Sequence, residues 1–62
     1  MGKLLTTEEV AETLGVAPGT VENWRYKREG PAYVKLGSKR HSAVRYRDSD
    51  LEAYMDSLQA AA

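Results

Sequence analysis

A helix stop and a helix start stand three residues apart in this chain, at Gly15 and Pro18, and that junction constrains the fold more than any other feature. Upstream of it, Thr6 and Glu9 have the T-x-x-E spacing of a capping box, in which side chain and backbone satisfy each other at a helix start. Glu8 and Glu9 add negative charge at the positive end of the helix dipole. Val10, Ala11 and Leu14 then form a short apolar stripe, and Leu5, just ahead of the cap, can close it as a hydrophobic staple. Gly15 allows the left-handed conformation that ends a helix. The pattern predicts a helix over Thr7 to Leu14. Pro18 suits the first turn of a second helix, where its missing N–H costs nothing, although Ala17 is a poor cap compared with Ser. The two helices must therefore turn sharply on one another across Val16 and Ala17.

Helical phase sorts the second helix into two faces. Ala17, Val21 and Trp24 recur at i, i+4 and i+7 and are expected to face inward, with Trp24 a core residue rather than a stacking platform. Gly19, Glu22, Asn23 and Tyr26 lie opposite, with Thr20 and Lys27 at the edge. Gly30-Pro31 is expected to stop the helix. Two short helices on a tight glycine turn, the second polar outside, make a helix-turn-helix over about 6–29.

Tyr33 to Leu36 and Ala43 to Tyr46 read as two β-prone strands, with Val34, Leu36, Val44 and Tyr46 as the inward positions. The polar run Gly37 to Ser42 between them makes the pair a hairpin, a wing over about 33–46. Asp48 is expected to cap a third helix over about 49–59, whose Leu51, Tyr54, Met55 and Leu58 follow i, i+3, i+4, i+7. Tyr33, Tyr46, Tyr54 and Met55 are assigned to a core between wing and third helix. The whole reads as one small α+β winged helix-turn-helix domain over 1–62, ordered helix, helix, hairpin, helix.

Chains of 62 residues bury only about 60% of their unfolded surface, so stability is marginal unless something staples the fold. There is no cysteine for a disulfide, and one histidine does not build a metal site. No cofactor or small-molecule ligand is expected, because a pocket of a few hundred cubic ångströms is hard to house in so small a core. Catalysis is not expected: there is no glycine-rich phosphate loop, and His41 stands beside no candidate nucleophile. No apolar run approaches the roughly 20 residues of a membrane span. The absence of cysteine fits a reducing cytoplasm.

Charge gives the functional lead. The chain is neutral overall, yet Arg25, Lys27, Arg28, Lys35, Lys39, Arg40, Arg45 and Arg47 stand against Glu29 alone between residues 25 and 47, a local balance of +7. Elsewhere Lys3 faces Glu8, Glu9, Glu12, Glu22, Asp48, Asp50, Glu52 and Asp56, a balance of −7. A basic middle between acidic flanks suits a polyanion partner, and on this fold that partner is double-stranded DNA.

Candidate contacts follow from chemistry and position. Asn23 matches the N6 and N7 edge of adenine, and Glu22 can accept from cytosine N4. Thr20 and Tyr26 suit phosphate contacts, and Gly19 lies on the same DNA-facing side. Arg25, Lys27 and Arg28 suit the negative end of a helix dipole, and three cations in four positions also suggest phosphate clamps. Lys39, Arg40, His41 and Ser42 crowd a hairpin apex, where apposed like charges cost stability unless a polyanion answers them. Arg40 is assigned to a narrow minor groove, and Lys35 and Arg45 to the flanks of the wing. Glu8, Glu12, Glu52 and Asp56 read as solvated outer faces.

The stretches Leu5-Thr6-Thr7-Glu8-Glu9-Val10-Ala11, Leu14-Gly15-Val16, Thr20-Val21 with Trp24, Gly30-Pro31, Lys35-Leu36-Gly37 and Val44-Arg45-Tyr46 before Asp50-Leu51 resemble the excisionase family, with its minimal MerR-like winged-helix domain. The likeness runs from Leu4 to about Leu58. It implies that the second helix enters the major groove with the wing alongside. It also implies binding to tandem sites and bending of DNA with an integrase partner in a bacterial host. Ala17 replaces the family's usual Ser cap, and the loop after Gly37 is longer than is typical. Three roles remain open on the residues: an excisionase-like architectural factor, a small MerR-like transcription regulator, and a protein-interaction adaptor that binds no DNA. The separated charges further suggest copies bound head to tail on adjacent sites, the acidic surface of one against the basic wing of the next.

Overall fold

The capping box at Thr6 forms as its spacing requires. In the computed structural model, which describes residues 2–39 and 41–58, the Glu9 amide donates to Thr6 Oγ1 at 3.1 Å and the Thr6 amide donates to Glu9 Oε1 at 2.9 Å. This hydrogen bond from the Thr6 backbone is the main reason the Glu9 carboxyl titrates below its ordinary value; the Thr6 hydroxyl, Lys3 and Arg45 pull the same way. The elements in chain order are β1 (Leu4–Leu5), α1 (Thr7–Leu14), α2 (Pro18–Lys27), β2 (Val34–Lys35), β3 (Val44–Arg47) and α3 (Asp48–Ser57).

Helix α1 stops at Gly15, whose φ of 71° lies in the left-handed region, and the Val16 amide closes the end by donating to Ala11 O at 2.9 Å. Helix α2 starts at Pro18 with Ala17 extended ahead of it and contributing no side-chain cap. Its far end departs from expectation. The helix stops at Lys27, and Arg28 takes the left-handed cap position at φ 57°, two residues before Gly30 at φ 80°. The Glu29 amide then donates to Trp24 O at 2.8 Å, which satisfies a carbonyl that the helix end would otherwise leave open.

Three antiparallel strands lie in the order β1-β3-β2. Leu4 faces Arg47 and Leu5 faces Tyr46 across one ladder; Val34 faces Arg45 and Lys35 faces Val44 across the other. The Asp48 amide donates to Lys3 O and the Leu36 amide to Ala43 O, extending both pairings by a residue. β1 was not expected from the sequence, because Leu4-Leu5 is too short to show a period.

This register corrects the inward set on the wing. Side chains alternate along a strand, so residues paired with Val44 and Tyr46 share their face. That face carries Lys35, Leu5 and Tyr33, whose ring lies 6.0 Å from that of Tyr46. Val34 and Leu36 are on the other face with Arg45, and Leu36 is exposed. The apolar alternation of β2 had suggested the opposite phase; pairing with β3, which Tyr46 anchors in the core, decided it.

The core is Val10, Ala11, Val21, Tyr46 and Leu51, all at most 3% exposed, with Leu5, Leu14, Val16, Trp24 and Val44 packed against it. Each helix and the central strand contributes one or two of the five. Trp24 is half-buried, its ring tilted against Tyr54 of α3 at 5.8 Å. Ala17 is exposed rather than inward. Tyr33 and Met55 also fall outside the core they were expected to build, and Leu58 on the third helix's apolar stripe is exposed. The third helix starts one residue earlier than expected. Arg47 is its cap residue and Asp48 its first turn, where the carboxylates of Asp48 and Asp50 meet the dipole.

Candidate nucleic-acid interface

Burial of Val21 and half-burial of Trp24 rotate the rest of α2 outward. Gly19, Thr20, Glu22, Asn23, Tyr26 and Lys27 are all exposed, Tyr26 at 88%. The outer face drawn from helical phase is thus presented as one continuous surface. At its start the first-turn amides have no side-chain acceptor, because Ala17 supplies none, and a Cβ built on Gly19 would meet nothing within 4 Å. Backbone at this end of the helix is open to close approach by a ligand.

The hairpin apex closes as a tight turn. The Lys39 amide donates to Ser42 Oγ at 3.0 Å, and the Ser42 amide donates to Lys39 O at 3.1 Å. Ser42 is half-buried and occupied in this turn, whereas Lys39 and His41 are exposed. Arg40, chosen from the sequence as the minor-groove residue, lies outside the described residues.

Between α2 and the wing runs a cleft of about 320 Å³, lined by Arg25, Tyr26, Tyr33, Lys35, His41, Ser42 and Val44. Two cations, an imidazole and two phenol rings line it, with no acidic residue among them. A groove of this composition attracts a phosphate-bearing chain and offers hydroxyl donors to its oxygens. A second cleft, about 390 Å³, is lined by Arg25, Arg28, Glu29, Gly30, Pro31, Ala32 and Tyr33. Both have the size that was not expected in the core; each is lined largely by exposed residues.

The expected site residues therefore divide. Arg25, Tyr26, Lys35, His41 and Ser42 converge on one cleft, with Asn23, Glu22, Thr20 and Gly19 continuing along the helix beside it. Arg28 lines the second cleft instead. Arg45 stands on the sheet face opposite Val44, half-buried, with its Nη1 donating to Val44 O at 2.8 Å.

Arg25 is more tied down than a surface clamp. Its Nη1 donates to Thr7 Oγ1 and to the Tyr46 hydroxyl, each at 3.0 Å, and its guanidinium carbon lies 5.9 Å from the centre of the Tyr33 ring. Tyr33 was missed as a wall of the cleft. Its place in the same pleat as Lys35 was the available signal, and it was hidden by reading Val34 as inward.

Among the described residues no helix is long and apolar enough to cross a membrane, and no group of three His, Cys, Asp or Glu side chains could hold a metal ion.

Comparison with known proteins adds one match. A family model described as a helix-turn-helix domain fits residues 4–59, nearly the whole chain. That family includes excisionase-like small DNA-binding proteins and supports DNA as the partner. Comparison with curated proteins and with solved structures gives no match.

Proposed function

We propose, for a chain that belongs to the helix-turn-helix domain family, that it is an excisionase-like architectural factor: it binds tandem DNA sites in a bacterial host and bends them, so that an integrase carries out excision. The observation that carries this reading is the basic cleft shared by the outer face of α2 and the wing. In the proposed complex α2 enters the major groove with Asn23 and Glu22 toward base edges. Lys35, Lys39, His41 and Arg40 meet the flanking backbone and minor groove.

One such module buries only about 600–1,000 Å² on DNA, which limits the occupancy a lone copy reaches. Copies on adjacent repeats therefore support one another. Glu8 and Glu12 on α1 and Glu52 and Asp56 on α3 are exposed, away from the cleft lining, and form the acidic partner for the next copy's wing. A head-to-tail contact of this kind does not close on itself, so it extends along the duplex and curves it.

Footprinting and gel shifts on attachment-site DNA with one and with two repeats test the proposal. Cooperative filling of paired repeats, a bend that depends on phasing, and stimulation of excision by a purified integrase are the expected results. Independent filling of the repeats would overturn the head-to-tail contact. Promoter occupancy with no effect on recombination would assign a transcription regulator instead. No duplex affinity even at low salt would leave only a protein-interaction adaptor.

A further inference from the structure

The most extensive backbone approaches among the described elements are between α1 and α2, and between β3 and each of β1, β2, α1 and α3. Beyond the apolar core that Val21 and Tyr46 share, α2 is tied to the wing by polar side-chain contacts, and Arg25 makes them. Its guanidinium joins α2 to the first residue of α1 through Thr7, to the central wing strand through Tyr46, and to the entry of the other wing strand over Tyr33. Within the hairpin, β3 is held in the core by Tyr46 and paired to β1, whereas β2 is two residues long and pairs with β3 alone. Tyr46 is 1% exposed, so if Arg25 let go its hydroxyl would have no ready access to water as a replacement partner.

We propose that Arg25 is a positioning residue: it sets the angle of the wing against α2, and DNA affinity depends on the Thr7–Arg25–Tyr46 chain although neither Thr7 nor Tyr46 lines the cleft. This rests on the DNA-binding reading above. Arginine suits the task because the two in-plane N–H bonds of one guanidinium nitrogen hold two acceptors in a fixed relation while the group keeps its charge; lysine offers a flexible point charge. Both bonds use Nη1, so the fork's other donors have no hydrogen-bond partner among the described residues, and the positive charge stays on the cleft wall. The wing cations reach a duplex together with α2 only while that angle is kept.

The test is a double-mutant cycle on a fluorescein-labelled random-sequence duplex at low salt. Tyr46→Phe keeps the buried ring and removes the hydroxyl; Thr7→Val removes the other acceptor, and Arg25→Lys keeps the charge without the fork. Each is expected to weaken binding roughly tenfold, the scale of one charge-assisted hydrogen bond. The discriminating readout is coupling. Lys39→Ala, on the wing, should cost much less in the Tyr46→Phe background than in wild type, whereas Lys27→Ala, on α2, should cost the same in both. Wild-type affinity in both Tyr46→Phe and Thr7→Val, or additive behaviour of Lys39→Ala, would overturn the proposal; loss of thermal stability with additive binding would reduce Arg25 to a structural residue and overturn it equally. Residual dipolar couplings without DNA read the angle between α2 and β3 directly and should shift in Tyr46→Phe. If wild type binds no duplex, the DNA reading fails by itself, and unchanged couplings would separately overturn the positioning role.

Discussion

Gly30 passes directly beneath Trp24: a Cβ built on the glycine would stand 2.6 Å from Trp24 Cε3 and 3.1 Å from Cδ2. Its φ of 80° is also one that L side chains rarely adopt. The indole that blocks the position is itself held against Tyr54 of α3, so it cannot move away freely. Gly30→Ala combines backbone strain with overpacking and is expected to cost about 2–4 kcal/mol. In a domain of this size that lowers the melting temperature by roughly 10 °C or more. Thermal unfolding followed by circular dichroism checks it; a wild-type melting temperature would mean that the turn relaxes away from Trp24.

Ala17 offers the opposite opportunity. It is exposed, and its φ of −72° and ψ of 146° are those of a cap residue, but it places no oxygen over the first amides of α2. Ala17→Ser supplies that oxygen and should stabilise the fold by about 1 kcal/mol. The expected rise in melting temperature is roughly 4–8 °C. An unchanged melting temperature would show that water already satisfies those amides as well.

Much of the fold was legible because its decisive residues act locally. Thr6, Glu9 and Gly15 bounded α1 to the residue, since caps and left-handed stops need only their neighbours. Val21 and Trp24 turned the outer face of α2 the right way, and the basic loop marked the hairpin apex. Long-range pairing hid the rest. β1 exists only because β3 gives Leu4-Leu5 an edge to bond, and the phase of β2 follows from Tyr46 rather than from the apolar rhythm of Val34 and Leu36. Helix α2 ended ahead of the stop expected at Gly30-Pro31 because Arg28 took the left-handed cap position, leaving Gly30 to turn the chain under Trp24. Arg25 could be placed near a phosphate-binding surface from its charge, but not against Tyr46, 21 positions along the chain.

Acid should loosen the start of α1 in a defined direction. Glu9 titrates below its ordinary value in the folded chain, chiefly through its bond from the Thr6 amide. Its contribution is therefore complete above the ordinary glutamate value and is lost as pH falls from there through the lowered folded value. Glu9→Gln keeps an acceptor for the amide and removes the titration. The variant is expected to show a flatter fall of stability with acid than wild type, with only a small change at neutral pH. Urea unfolding across the acid range decides it, and parallel curves for the two proteins would refute the assignment.

Phosphate contacts in the cleft should appear as a salt slope. Each neutralised phosphate adds about 0.9 to the slope of log affinity against log salt. If some five or six cations meet the backbone, wild type is expected to show a slope of roughly −4 to −6. Lys35 lines the cleft and Lys39 is exposed at the apex. Replacing both by Ala should reduce the slope by about 2 and weaken binding to every sequence alike. A double variant that keeps the wild-type slope would remove the wing from the interface.

Asn23 should behave in the contrary way, because it carries an amide rather than a charge. It is exposed on the outer side of α2, one residue from half-buried Trp24 and two from buried Val21, so the packing that fixes those residues also fixes its direction. An asparagine held so can pair with both N7 and N6 of an adenine, an arrangement no other base pair reproduces in the major groove. Asn23→Ala is therefore expected to leave the salt slope and random-sequence affinity near wild type. It should erase discrimination of about 1–3 kcal/mol at one base-pair position. Affinity measured over a set of duplexes with each position of the footprinted site substituted in turn reads this directly. Uniform weakening at all positions would make Asn23 a backbone contact, and no change at any position would turn the outer side of α2 away from the bases.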